Sequence, residues 1–504
     1  MLTAGLNLQS RCEAITSFST PGLASLSASF LVQGSPIAVS EVCATAWPLP
    51  DPFVTSANLC HVTLSINTTE SSTTVLEMFL PEKWNQRLLA TGTGGFGGCV
   101  DFPSVNYGAE MGFAAVGTNA GHDGLSGAPL LHHPEMLTDF VWRSVHTEAV
   151  VGKELAHEFY GYPVGYSYYT GCSQGGRQGF RAAEQFPEDF DGIIAGDPAL
   201  KFNNLISWSG VVPAPMLDGQ PGAMSPADWA LVHGETLKQC DTLDGKADGT
   251  IAYPEDCDFR PEVLLCSKFR QEPCLNAAQV DGLRTLYSPV YLTSGELLYP
   301  RYDPGSENNG PIFNITFGGQ FSFLTLDGFR YVVYDNENWD PSTFSDADVE
   351  YAIKTNNGDI QTWTGDLRKF KRRGGKMLTY HGTADSIIPS GISPLQYKMT
   401  AGMTGPRAMD DWYALYLVPG MEHCWNLGST LTGPWRFGQL GDVPEPRAAK
   451  NTSDYNALLA LVDWVEKGQQ PNLSGLTDAG ETRKLCRYPQ KGRWINGRWT
   501  CPSV

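Results

Sequence analysis

Gly171-Cys172-Ser173-Gln174-Gly175 is a G-x-S-x-G sequence. In this pattern a serine sits on a sharp turn between a strand and a helix and is exposed as a nucleophile. A serine hydroxyl is weakly nucleophilic at its free pKa. It needs an imidazole to take its proton and a carboxylate to orient that imidazole. Three histidines follow Ser173: His233, His381 and His423. On such an elbow the chain order is Ser, then Asp or Glu, then His. Asp385 ends "YHGTAD", just past a strand-like run, and His423 lies in "VPGMEHCW", just past another. The order Ser173, Asp385, His423 puts each residue at the C-terminal end of a strand. His381 precedes Asp385 and fits the order poorly, and His233 falls in a region of different character. Asp410, Asp411 and the glutamates are the alternatives to Asp385. This chemistry is acyl transfer through a covalent acyl-serine, which also needs amides to hold the oxyanion. The Gln174 N–H is one expected donor, and Gly95 in "GTGGFGG" (92–98) is the other. A phosphate-cradling role for those glycines fails, because no G-K-[ST] follows and no basic residues flank them.

Cys172 directly precedes Ser173, and Cys424 directly follows His423. If the triad forms, the two cysteines come near each other, and a disulfide needs Cα atoms roughly 4.4–6.8 Å apart. The bond would join the nucleophile loop to the base loop; otherwise each cysteine pairs elsewhere or stays free. A second cluster lies in "CDTLDGKADGTI" (240–251). Asp241, Asp244 and Asp248, with the carbonyls of Lys246 and Thr250, suit Ca²⁺, a hard cation that takes six to eight oxygens. The spacing is not that of an EF-hand, and aspartate and glycine also build ordinary turns, so both readings stand on residue type alone.

The elements that must position these residues follow from the apolar pattern. Six short β-branched or aromatic runs end in glycine: "RLLATGTGG" (87–95), "GFAAVGTNAG" (112–121), "YSYYTGCSQGG" (166–176), "DGIIAGDPA" (191–199), "KMLTYHGTAD" (376–385) and "DWYALYLVPG" (411–420). Buried parallel strands feeding loops read this way. Helical spacing recurs between them, over 139–161, over 177–185 after the serine, and over 452–468, where Tyr455, Leu458, Leu459, Val462 and Val465 share a face. Alternating strands and helices predict an α/β fold with a mostly parallel sheet. "LCHVTLSI" and "TTVLEMFLP" alternate more strictly and predict antiparallel strands leading in. From 203 to 372 proline, glycine, aspartate and asparagine rise, and four of the twelve cysteines fall between 240 and 274. This stretch reads as an insertion between two sheet strands. Ligands of open α/β sheets bind beyond the strand C-termini, so the insertion is either a lid that shapes the pocket or a disulfide-stapled excursion.

The formal net charge of −19 disfavours nucleic acid and anionic lipid as partners. The longest apolar runs are far too short to span a membrane. Twelve cysteines with no C-x-x-C spacing predict six disulfides rather than a zinc site, and hence a compartment outside the reducing cytosol. Sequons at Asn67, Asn314, Asn451 and Asn472 agree with secretion. The first fourteen residues hold no apolar run of signal-peptide length, so the chain reads as a mature form.

The doublets Cys172-Ser173 and His423-Cys424, with Asp385 between them, resemble the CS–D–HC arrangement of the fungal tannase and feruloyl esterase family. The Asp/Gly loop at 240–251 resembles that family's calcium loop. The resemblance runs from the cysteines near residue 12 to those near 501. It implies an α/β-hydrolase domain (1–202 and 373–504), a large inserted lid domain (203–372) and a structural Ca²⁺ held by Asp241, Asp244, Lys246, Asp248 and Thr250. It implies the disulfides Cys172–Cys424, Cys240–Cys257 and Cys266–Cys274. Elimination and order among the remaining cysteines add Cys12–Cys60, Cys43–Cys99 and Cys486–Cys501. Members of the family cleave esters of aromatic acids: hydroxycinnamates, gallate in tannins and, in a bacterial relative, a terephthalate monoester. Tannases of the family often carry an extra insert and are cut at a basic site. This chain has no long insert, and "KRR" (371–373) is either a protease target or a solvated loop. The resemblance therefore implies a feruloyl esterase acting on a small aromatic ester, free or attached to cell-wall polysaccharide. Tannase is the nearest alternative. An inactive hydrolase fold that binds carbohydrate and a serine peptidase are weaker ones.

Overall fold

The computed structural model describes residues 7–46, 49, 51–267, 273–307, 310–406, 409–424, 451–476 and 482–502. Three strands come first: β1 (Leu23–Leu31), β2 (Leu59–Asn67) and β3 (Thr73–Pro81). They pair antiparallel, as the alternation of β2 requires, with Val62, Leu64 and Ile66 turned inward. Four strands follow: β4 (Arg87–Thr91), β5 (Ala114–Thr118), β6 (Tyr166–Cys172) and β7 (Gly192–Gly196). A small hairpin, β8 (Val290–Tyr291) and β9 (Leu297–Tyr299), stands apart from the main sheet. The last two strands of the sheet are β10 (Lys376–Gly382) and β11 (Tyr413–Val418).

The order is β1-β2-β3-β5-β4-β6-β7-β10-β11, and every pairing from β5 through β11 is parallel. All six glycine-ended runs are these parallel strands. Neighbouring residues on them join opposite cores. Leu88 and Ile193 belong to one apolar cluster, Leu89 and Ile194 to the other. The sheet is therefore covered on both faces, which is why its strands read as unbroken apolar runs. The helix Ser144–Tyr160 lies against β4 and β5, and the helix Ala457–Lys467 against β7 and β10. This is the α/β-hydrolase architecture.

Two helices differ from expectation. Residues 139–143 form a π-helical turn before Ser144–Tyr160, which ends on left-handed Gly161 (φ 78°). The last predicted helix begins at Ala457, not 452. The Asn456 side chain accepts the Leu459 N–H and caps it there. Its buried face is Leu458, Leu461 and Trp464, while Tyr455, Leu459 and Val465 are half-buried. The KRR stretch is no solvated loop. Lys371 and Arg372 are helical, and Arg373 donates to the Phe190 carbonyl (2.6 Å) and to Asp191 (2.8 Å) at the foot of β7.

Strands β7 and β10 are neighbours in the sheet, and residues 197–375 lie between them in sequence. This stretch carries β8, β9, several helices and an aromatic cluster of Trp229, Tyr302, Phe313 and Phe317, with ring centres 5.0–5.6 Å apart. All twelve cysteines are paired: Cys12–Cys60, Cys43–Cys99, Cys172–Cys424, Cys240–Cys257, Cys266–Cys274 and Cys486–Cys501. No helix among the described residues is long and apolar enough to cross a membrane.

Candidate active site

Strand β6 delivers its chain straight into the helix Gln174–Gln185, with Ser173 as the single hinge residue. Ser173 has φ 59° and ψ −119°, a strained backbone for a residue with a side chain. The turn closes because its glycines allow close approach. A Cβ on Gly171 would stand 2.7 Å from the Gly175 carbonyl carbon, and one on Gly175 would stand 2.9 Å from the Thr93 carbonyl oxygen. The Ser173 amide is anchored on the Gly196 carbonyl (2.9 Å) at the end of β7. Gln174 then opens the helix, so its backbone amide belongs to the positive end of the helix dipole.

Strand β10 ends at Gly382, and the following turn buries Asp385 completely. One carboxylate oxygen accepts the amides of Ile387 (2.8 Å) and Ile388 (2.9 Å). The other lies 2.7 Å from His423 Nδ1 on the loop after β11. That contact makes Nδ1–H the donor and leaves Nε2 as the basic nitrogen. Burial alone would raise the Asp385 pKa, but the two histidines beside it hold it below the usual carboxylate range. Burial alone would lower that of His423, but Asp385 holds it above the ordinary histidine value. Ser173 and His423 face a common cavity of about 260 Å³, which Gly95 (φ 59°) and both flanking cysteines also line. The Cys172–Cys424 bond has a Cα separation of 5.9 Å and lies in that wall.

The rest of the lining is largely aliphatic. Val39, Val100 and Leu125 come from the first part of the chain, while Ile312, Ile315 and Leu324 come from the segment between β7 and β10. Sequence reasoning missed Val39, because a lone valine between loops carries no periodicity.

His381 does not line the cavity that Ser173 and His423 share. Its ring is fully buried behind Asp385, with Nδ1 2.7 Å from Ser393 Oγ and Nε2 2.9 Å from the Ile388 carbonyl. Asp197, directly after β7, is a second fully buried carboxylate at this centre, and the sequence had not marked it. The only signal available was an aspartate at the C-terminal end of the strand beside the nucleophile strand.

The Asp/Gly loop lies outside this cavity. Asp241 Oδ1 accepts the amides of Asp248 and Thr250, each at 3.2 Å, and Asp244 Oδ1 accepts that of Lys246 (3.0 Å). Left-handed Gly245 (φ 98°) and Gly249 (φ 74°) let the chain curl around the three carboxylates. Buried Arg483 approaches Asp244 (3.1 Å) and Asp248 (3.4 Å) from outside the loop. Among the described residues Asp248 Oδ1 is buried without a hydrogen-bond partner. Three carboxylates against the Arg483 guanidinium and the Lys246 ammonium, 4.0 Å from Asp248, leave one negative charge and an orphaned oxygen, so the donor set fits an oxygen-seeking cation. The loop also reaches the turn that carries Asp385. The Thr383 hydroxyl, two residues before Asp385, donates to the Ile251 carbonyl (3.2 Å) and accepts the Gly420 amide (3.1 Å).

A family model described as tannase and feruloyl esterase matches residues 60–503. A probable feruloyl esterase B-1 of Aspergillus flavus is 41% identical over 452 residues, covering 87% of this chain and 84% of the relative. Feruloyl esterase C of Talaromyces stipitatus is 39% identical over 466 residues, covering 89% and 85%. The crystal structure of feruloyl esterase B from Aspergillus oryzae superposes with a TM-score of 0.92 at 35% identity, covering 98% of this chain and all of that one. The chain belongs to the tannase and feruloyl esterase family.

Proposed function

We propose that the protein is a secreted serine esterase that frees hydroxycinnamic acids, ferulate foremost, from small esters and from plant cell-wall polysaccharide. The observation that carries the acyl preference is the lining of the cavity at Ser173. Its walls are mostly aliphatic, which suits a methoxylated ring on a propenoyl arm. A galloyl ring brings three hydroxyls, and each buried without a partner costs about 1–3 kcal/mol.

Ser173 Oγ attacks the ester carbonyl as His423 takes its proton. The amides of Gln174 and Gly95 hold the oxyanion. The alcohol leaves with the proton from His423, and water, deprotonated by the same imidazole, then releases the acid from Ser173. Asp385 orients the ring throughout and balances its charge. Residues 203–372 act as the lid, whose Ile312, Ile315 and Leu324 stand against the acyl arm. Six disulfides and four exposed sequon asparagines support passage through an oxidising secretory route.

A panel of methyl esters tests the acyl preference. The expected kcat/KM for methyl ferulate exceeds that for methyl gallate by tenfold or more. The reverse order would make the protein a tannase, and no turnover of any aryl ester would leave the carbohydrate-binding alternative.

A structural Ca²⁺ held by Asp241, Asp244 and Asp248, with the carbonyls of Lys246 and Thr250, belongs to this reading. Bound there, it would offset the loop's remaining negative charge, engage the orphaned Asp248 oxygen and add to stability by mass action. EDTA is expected to lower the melting temperature by several degrees, with recovery on excess Ca²⁺ but not Mg²⁺, and Asp241→Asn to abolish the response. A melting temperature indifferent to both treatments would remove the ion from the account.

A further inference from the structure

Behind the triad lies a second acid–imidazole pair, Asp197 and His381, both fully buried. Asp197 sits at the end of β7 in a left-handed conformation (φ 34°), with its amide on the Tyr380 carbonyl (2.9 Å). Its two carboxylate oxygens divide their work. Oδ1 accepts the Gly382 amide at 2.6 Å, at the end of the strand that delivers Asp385. Oδ2 accepts the Cys424 amide at 3.0 Å, on the residue after His423, and touches Cys172 Sγ at 3.4 Å. One side chain thus joins the acid loop, the base loop and the bridge to the nucleophile loop. His381 closes the arrangement. Its Nε2 carries a proton, because its nearest partner, the Ile388 carbonyl, can only accept. That N–H lies 3.4 Å from Asp385 and 3.6 Å from Asp197.

We propose that Asp197 is a positioning carboxylate for the His423 loop, and that His381 is a fixed cation that lets Asp197 and Asp385 share one dry site. Neither residue lines the acyl cavity, so neither touches the acyl arm. Burial works against charge on His381, yet the two carboxylates outweigh it and lift its pKa to about 9. Burial lifts Asp197 to about 6, with Asp385 adding to the rise and His381 opposing it. At neutral pH both are charged. The charged and titratable groups facing His423 are Asp385 and His381 from the β10 side, Asp197 from β7 and Glu422 on its own loop. From the inserted segment Tyr299 and Tyr302 stand near Asp385, and Asp303 stands near His381.

The test compares Asp197→Asn with His381→Gln, whose amide can still donate toward the Ile388 carbonyl. An amide at 197 accepts at only one oxygen, so one of the two backbone amides loses its partner. The expected kcat falls by about tenfold or more, with KM within about twofold. The pH profile separates positioning charge from mere structure. The base must be neutral, so the acid limb of kcat/KM follows His423. Losing the negative charge of Asp197 disfavours the imidazolium and moves that limb to lower pH. Losing the positive charge of His381 favours it and moves the limb to higher pH, each by about half a unit or more. Titration with an aryl phosphonate counts folded sites, so a poorly folding Asp197→Asn sample is still read per active site. Should it yield none, the upward shift in His381→Gln alone decides. Limbs that stay in place, or move together, overturn the proposal.

Discussion

Replacing Ser173 with alanine lowers kcat for methyl ferulate by about 10⁴- to 10⁶-fold and abolishes the burst of alcohol release that precedes steady turnover. The magnitude follows from what the hydroxyl does. It forms the bond that divides ester hydrolysis into two easier steps, and no other side chain at the cavity can replace it. Residual turnover belongs to the oxyanion amides and to binding, which the substitution leaves in place. The elbow should survive, because it is held by backbone: the Ser173 amide on Gly196 and the close Gly175–Thr93 approach need no hydroxyl. The melting temperature is therefore expected within a few degrees of the parent, and the variant should still bind ferulate. A Ser173→Ala protein within tenfold of parental kcat would remove Ser173 from the reaction.

The parallel strands were legible because burial on both faces leaves no polar alternation, and each strand must end in a residue that lets the chain turn. The site was legible because its chemistry lies in side chains with few substitutes. Chain order counted against His381 as base, and the cysteine beside His423 agreed with the choice. What escaped notice is held by backbone. Asp197 acts on the amides of Gly382 and Cys424, and an amide has no sequence signature. Followed by proline, the aspartate reads as an ordinary turn residue. The same holds for Thr383, whose hydroxyl ties the Asp/Gly loop to the acid turn through the Ile251 carbonyl. In sequence that loop stands more than a hundred residues before the acid turn, and only the folded chain brings the two into contact. The late start of the helix at Ala457 has a similar origin, since the side chain of Asn456 outweighs the apolar spacing that extends past it.

The second large effect concerns the bond between the two doublets. Replacing Cys172 and Cys424 together with alanine is expected to cut kcat by about a hundredfold and to lower the melting temperature by several degrees. The bridge closes a loop of 252 residues, and chain-entropy models give about 5 kcal/mol for closures of that size. That is a large share of the roughly 5–15 kcal/mol that keeps a domain folded. The catalytic loss has a separate cause. Cys424 is held at φ 65°, a conformation that alanine resists once the bond no longer imposes it. Asp197 still accepts the Cys424 amide, so the base loop keeps one of its two ties and the triad loosens instead of dispersing. A displacement of His423 by about 1 Å accounts for the hundredfold, while KM changes little because the aliphatic walls remain. The paired control is Cys12→Ala with Cys60→Ala, which removes a bridge that takes no part in the cavity lining. It should lower the melting temperature and leave kcat near the parent. Double alanine at 172 and 424 with parental kcat at 25 °C would show that the bond serves stability alone. A hundredfold loss in that variant but not in the control assigns the bridge to the geometry of the triad, with Asp197 as its non-covalent counterpart.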